Sequence, residues 1–329
     1  MSEYLLEVNN LKTWFYTFRG VVKAVDGVSF SLKKGEVLGI VGESGCGKSI
    51  TGFSILKLID PPGQFEGGGI TFEGEDLLAK SEKEMHAIRG NKISMVFQDP
   101  MTSLNPLYTI GQQIEESLAI HQTQLSKKER RAKAIELLKA VGIPAPQERI
   151  GSYPHEFSGG MRQRVIIAIS LATNPELIIA DEPTTALDVT VQAQIIRRLL
   201  ELVRSQNTSL ILITHDLALV SEAADKIVVM YCGKVIERGT VFDIIESPSH
   251  PYTVGLLRSI PRLTDEQSRL EQIPGMVPSP FDLPTGCKFS PRCRYCQEVC
   301  RREEPEEKVL TKEHRVACHF PLKGGLACE

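Results

Sequence analysis

The sequence predicts an α/β fold with three parts: a mostly parallel core sheet covered by helices, an inserted helical subdomain, and a small loop-rich C-terminal extension. Three observations carry this prediction. Short apolar runs alternate with helical segments between residues 177 and 231, the pattern of strand–crossover–strand units. A glycine-rich loop at 42–49 lies between an apolar run and a helical one. Beyond about residue 255 the periodicity fades while prolines and cysteines accumulate. One large domain over 1–255 followed by an extension over 256–329 is therefore expected.

In chain order, residues 5–11 and 25–32 alternate apolar and polar side chains, as half-buried strands do. Residues 36–41 form a short apolar strand feeding the glycine loop, and 48–58 read as a helix. Strands follow at 70–74 and 93–97. From 110 to 141 the chain turns helical, with Lys127, Lys128, Glu129, Arg130, Arg131 and Lys133 on a solvated face. A second helix runs from 160 to about 173, and Asn174-Pro175 stops it. These helices make up the inserted subdomain, about 100–173. Then come a strand at 177–180, a helix at 189–205, a strand at 210–214, a helix at 217–224 and a strand at 226–231.

Composition excludes several classes. Hydrophobic residues make up 42% and charged residues 24%, ordinary for a globular chain of 329 residues. A net charge of −3 argues against a nucleic-acid binder. No segment approaches the roughly 20 apolar residues of a membrane span. Met1-Ser2-Glu3-Tyr4 does not open a secretion signal. A cytosolic chain is expected, attached to any membrane through partners.

The loop Gly42-Glu43-Ser44-Gly45-Cys46-Gly47-Lys48-Ser49 fits G-x-x-x-x-G-K-[ST] at every fixed position. Its glycines let successive backbone N–H groups face a phosphate, and the helix that follows adds its positive end. Lys48 reaches the β- and γ-phosphates, the Ser49 hydroxyl suits Mg²⁺, and Ile50 continues the helix start. Cys46 reads as a small spacer. Asp181 ends a buried strand, where its carboxylate can hold Mg²⁺ through water, and Glu182 is placed to polarise the attacking water. Between these motifs, Phe157-Ser158-Gly159-Gly160-Met161 opens a helix, where Ser158 is a natural N-cap and the turn is an anion site.

With an S-G-G segment between the phosphate loop and Asp181-Glu182, the chain resembles the ATP-binding subunits of ABC transporters, whose signature reads L-S-G-G-Q. Phe157 and Met161 depart from it in the manner of oligopeptide and dipeptide importers. His250-Pro251-Tyr252-Thr253, before a proline-rich cysteine tail, matches the C-terminal extension of the same group. Several expectations follow from the resemblance. Gln98 reaches Mg²⁺ and the water, and His215, in T-H-D, contacts the γ-phosphate. Ser158, Gly159 and Gly160 close on ATP held by the other subunit of a head-to-tail dimer. Thr184, Thr185, Ala186, Leu187 and Asp188 continue the pattern, with Asp188 contacting that partner. Mg²⁺ ligands would be Ser49, Gln98 and Asp181. An aromatic side chain stacks on adenine, with Phe18 preferred over Tyr16 and Phe15.

The implied partners are a second ABC ATPase subunit, identical or homologous, two transmembrane permease subunits and an extracytoplasmic peptide-binding protein, at the cytoplasmic face of the membrane. Import of nickel or another small solute, and a soluble non-transport ABC ATPase, are the alternatives. Six of the eight cysteines crowd the last 43 residues, which in a cytosolic protein favours a metal over disulfides. Cys287, Cys293, Cys300 and Cys318 have a spacing that, in the resembling ATPases, looks like ligation of a [4Fe–4S] cluster; Zn²⁺ is the alternative. Cys296 and Cys328 would be spare. Such a proline-rich tail, poor in apolar residues, is expected to need a cross-link to become ordered.

Overall fold

A computed structural model describes residues 3–184, 188–259 and 272–322. Its strands begin with β1 (Leu6–Thr17), β2 (Gly20–Leu32), β3 (Val37–Val41), β4 (Gly63–Phe72), β5 (Glu75–Asp76) and β6 (Ile93–Val96). They continue with β7 (Leu177–Asp181), β8 (Ser209–Thr214), β9 (Lys226–Tyr231), β10 (Lys234–Thr240), β11 (Glu307–Val309) and β12 (Arg315–Ala317). The chain divides into two compact units, one of residues 1–32, 37–78 and 214–329 and the other of 33–36 and 79–213.

In the first unit, β1 pairs antiparallel with β2 and β4, and β5 closes that sheet. Leu6, Val8, Leu11 and Thr13 of β1 turn inward. Thr13 shares a buried 2.8 Å hydrogen bond with Ser54, which ties β1 to the helix Lys48–Ile55. That helix is shorter than the expected 48–58. The strands are longer than expected: β1 and β2 continue outward to a hairpin whose tip carries Phe18.

The same unit contains β3, parallel to β9, with β10 and then β12 and β11 added antiparallel. Every residue of β3 is buried, as suits a parallel strand covered on both faces. The antiparallel edge was not foreseen. It starts at Cys232-Gly233, two residues with φ of 45° and 81°, the backbone that a tight two-residue hairpin requires. β11 and β12 come from the extension, so that part of the chain does more than form loops.

In the second unit β6, β7 and β8 run parallel. The expected helical stretch 110–141 is two helices, Ile110–His121 and Lys127–Ala140. Each starts on its own capping box, Thr109 with Gln112 and Ser126 with Glu129; the second box restarts the helix after the break. Lys127, Lys128 and Glu129 are exposed, while Arg131 pairs with Glu115 at 3.0 Å. The helices Gly159–Leu171 and Val189–Ser205 complete this unit's framework.

Candidate functional site

The phosphate loop leaves the end of β3 and enters Lys48–Ile55 through Gly47, the N-cap, at φ 100°. A Cβ on Gly47 would stand 2.1 Å from the Ala24 carbonyl oxygen, so only glycine allows β2 to approach so closely. Gly47 supplies no side-chain cap, which leaves the first turn's amides without a competing carboxylate or hydroxyl from the N-cap. Lys48 is 4% exposed, and its ammonium donates to the carbonyls of Gly42 at 2.8 Å and Glu43 at 3.1 Å. A buried cation held against the loop's own carbonyls, with Ser44 and Gly45 exposed above it, is a concave anion receptor. The residues present therefore fit a nucleotide phosphate. Cys46 is buried and that burial pushes its thiol up, in keeping with an inert spacer.

Thr214 and His215 lie in this unit too. Asp216 caps Leu217–Ala223 by accepting from the amides of Ala218 and Leu219, and its own amide donates to the Thr214 hydroxyl at 3.0 Å. This turn presents His215 at the surface. Phe18 at the hairpin tip is 99% exposed, and Tyr16 is also exposed. An aromatic ring so displayed buries nothing in the fold and is available to stack on a planar ligand.

The second unit holds the acidic pair. Asp181 ends β7, buried, and Glu182 follows at φ 42°, a left-handed conformation that a non-glycine residue adopts at a cost. The Glu182 amide donates to the Ile213 carbonyl at 2.8 Å, which helps hold the turn. Its carboxylate accepts a 3.0 Å hydrogen bond from Gln98 Nε2. Two residues singled out separately in the sequence, 84 positions apart, thus meet. Ser158 caps Gly159–Leu171, its hydroxyl accepting from the Met161 amide at 3.4 Å. A Cβ on Gly160 would come within 2.9 Å of Val191, so that glycine also lets Gly159–Leu171 approach Val189–Ser205. Asp188 caps Val189–Ser205 by accepting from the Val191 amide at 3.0 Å. Thr185, Ala186 and Leu187 of the same segment lie outside the described residues.

Glu43, Tyr252 and Arg292 escaped the sequence reading as site residues. The Tyr252 hydroxyl accepts from the Glu43 amide at 2.9 Å, and Arg292 grips the Glu43 carboxylate at 2.6 and 3.0 Å. The only signal for this was the His250-Pro251-Tyr252 motif, which marks the group without stating a contact.

The cysteine expectation is corrected. Among the described residues no group of three or more His, Cys, Asp or Glu side chains is placed to hold a metal ion, so neither [4Fe–4S] nor Zn²⁺ is supported. Cys287, Cys293, Cys300 and Cys318 do line one cavity, together with Phe289, Tyr295 and Phe320, and they are free cysteines. Burial pushes the Cys287 and Cys318 thiols up to about 11. Cys328 lies outside the described residues. Within the first unit the extension is held by apolar and polar contacts. Phe289 is buried against Tyr231 and Tyr252, β12 pairs with β10, and buried Glu237 accepts from His314 at 2.8 Å and from the Ser249 and His250 amides. Lys288 and Lys234 both bind Glu304.

Comparison with known proteins gives two family matches, "ABC transporter" over residues 25–185 and "Oligopeptide/dipeptide transporter, C-terminal region" over 236–300. The chain is 52% identical over 318 residues to the dipeptide transport ATP-binding protein DppD of Escherichia coli (strain K12), covering 97% of each. It is 53% identical over 315 residues to the oligopeptide transport ATP-binding protein AppD of Bacillus subtilis (strain 168), covering 95% of this chain and 96% of that one. Among solved structures, it resembles a dimeric ATP-binding cassette in a post-hydrolysis state bound to ADP and Pi. That match has a TM-score of 0.65 and 29% identity, over 72% of this chain and 98% of that one.

Proposed function

The chain belongs to the ATP-binding subunits of ABC transporters, in the oligopeptide/dipeptide branch, and on that premise we propose how its residues serve peptide import. It is an ATPase with an α/β cassette fold, whose family binds ATP with Mg²⁺. Uptake of dipeptides or oligopeptides is the function that the named relatives favour over nickel or small-solute import and over a soluble role. The carrying observation is the S-G-G helix start capped by Ser158 in a chain that also has a phosphate loop built around buried Lys48.

In this reading the backbone of 42–49 binds the phosphates, with Lys48 turning its ammonium to the β- and γ-phosphates. Ser49, Gln98 and Asp181 would be the residues that hold Mg²⁺, which would neutralise charge on the phosphate oxygens. Glu182 takes up proton density from the attacking water, and Gln98 holds that carboxylate in place. His215 contacts the γ-phosphate. Phe18 stacks on adenine. Ser158, Gly159 and Gly160 close on the γ-phosphate of a second ATPase subunit, identical or homologous, which Asp188 also contacts. Residues 1–255 serve as the nucleotide-binding domain, with 100–173 as its helical subdomain and 256–329 as the extension.

Among the described residues no helix is long and apolar enough to cross a membrane. Two permease subunits and an extracytoplasmic peptide-binding protein would complete the machine, with this chain peripheral at the cytoplasmic face. Reconstitution of the chain with its permease partners in liposomes tests the reading. Peptide-loaded binding protein should stimulate phosphate release, and Lys48→Ala should abolish it. Hydrolysis indifferent to peptide in a transport-competent preparation contradicts it.

A further inference from the structure

Arg292 of the C-terminal extension reaches the phosphate loop. Arg292 lies at the end of a short 3₁₀ turn, its side chain 4% exposed, and every part of its guanidinium is engaged. Nε donates to the Pro274 carbonyl at 3.0 Å. One terminal nitrogen donates to the Tyr231 hydroxyl at 3.3 Å and to Glu43 at 2.6 Å; the other donates to the Ile273 carbonyl at 3.3 Å and to Glu43 at 3.0 Å. The fork-to-fork contact with Glu43 is the bidentate geometry in which arginine differs most from lysine. Tyr231 and Phe289 flank the cation at 5.9 and 6.0 Å from its carbon. The contact with Glu43 holds the guanidinium in its charged form.

Glu43 is the second residue of the phosphate loop. Its amide is taken by the Tyr252 hydroxyl and its carbonyl accepts from Lys48, so its backbone is fixed on both sides. A carboxylate at this position is electrostatically adverse to a polyanion arriving at the same loop, and the interaction is strong where water is partly excluded. Burying such a charge beside an anion site makes sense only if a counter-charge accompanies it.

We propose that Arg292 is a positioning residue for nucleotide binding: the extension neutralises Glu43 and fixes the first turn of the phosphate loop, so that docking of the extension sets the affinity for ATP. The proposal rests on the reading that residues 42–49 receive the phosphates of ATP. It gives the extension a role within its own subunit, separate from any cargo or partner.

Two substitutions separate electrostatic positioning from simple support of the fold. Arg292→Met leaves Glu43 as an unneutralised anion in the loop. Glu43→Gln leaves Arg292 as an unpaired cation near it. Each breaks a largely buried pair, so each should lower the melting temperature. Nucleotide affinity should move in opposite directions: titration of the full-length chain with a fluorescent ATP analogue and Mg²⁺ should give about tenfold weaker binding for Arg292→Met and equal or tighter binding for Glu43→Gln. The double variant should return to within about threefold of the unmodified chain, because neither charge is left over. Arg292→Lys keeps the cation but loses the two-pronged contact with Glu43, so its affinity should fall between those of the unmodified chain and Arg292→Met, which provides a folded reference should Arg292→Met prove too unstable to measure. Weaker binding in both single variants, in proportion to lost stability and without recovery in the double, overturns the proposal. Failure of the unmodified chain to bind the analogue overturns the ATP reading itself, a result distinct from same-sign shifts in a chain that binds.

Discussion

Replacing Glu182 by Gln separates chemistry from architecture. The amide keeps the size of the side chain and keeps an oxygen that can accept the 3.0 Å hydrogen bond from Gln98. The φ of 42° is unchanged in kind, since glutamine meets the same steric limits as glutamate. What disappears is the negative charge, which weakens the exposed hydrogen bond from Gln98 by about 1 kcal/mol or less. The Glu182 amide bond to Ile213 and the parallel pairing of β7 with β8 do not involve the side chain. Stability and ATP binding should therefore hold. The loss of a general base, by contrast, lowers the rate about 10²–10⁴-fold. At about 1.4 kcal/mol per decade this is about 3–5 kcal/mol of barrier, several times the structural cost. The assay is single-turnover phosphate release by the chain assembled with its partner subunits, run beside analogue titration and thermal melting. The variant should bind ATP as before and accumulate as a closed dimer on size-exclusion chromatography with ATP. Hydrolysis near the unmodified rate would refute the assignment of the base. A drop in melting temperature matching the rate loss would refute the claim that the residue acts in chemistry alone.

Further outcomes follow from other residues. Gly47→Ala places a methyl 2.1 Å from the Ala24 carbonyl oxygen at φ 100°, so analogue binding should fall below detection while the chain stays folded by circular dichroism. Phe289→Ala empties the buried contact with Tyr231 and Tyr252 and should cost about 3–5 kcal/mol in denaturant unfolding, with the extension cleaved first in limited proteolysis. Burial holds the His250 imidazole down at about 4, against about 6.5 unfolded, so the unfolded chain binds the extra proton. The neutral form's contribution is fully present above about pH 6.5 and is lost as pH falls to about 4, a change of up to about 3 kcal/mol. His250→Asn keeps an acceptor for the Tyr252 amide and should flatten this part of the curve; an unchanged difference between the two proteins from pH 7 to 4 would contradict it. In the proposed arrangement, with Ser158, Gly159 and Gly160 closing on a neighbour's ATP, the phosphate-release rate per chain should rise with concentration for the isolated ATPase. A dilute monomer at full rate argues against that arrangement.

What the sequence determined on its own was local. Residues 42–49 carry their own conformation in three glycines, so strand, loop and helix could be read together. Ser158 announced a helix start because a cap needs only the next turn. The apolar runs of β3 and β7 were legible as buried parallel strands for the same reason. The break between Ile110–His121 and Lys127–Ala140 was written in the Ser126–Glu129 capping box, but a continuous helical pattern across 110–141 masked it. Only the tertiary structure decided the extension. Its composition looked too poor in apolar residues to order without a metal, and that inference counted only the extension's own side chains. Phe289 buries itself on Tyr231 and Tyr252, β12 borrows its partner from β10, and Arg292 finds Glu43 across 249 positions of chain. Spacing and periodicity report interactions within a turn or two, whereas docking energy is a property of two surfaces that meet only after the chain has folded.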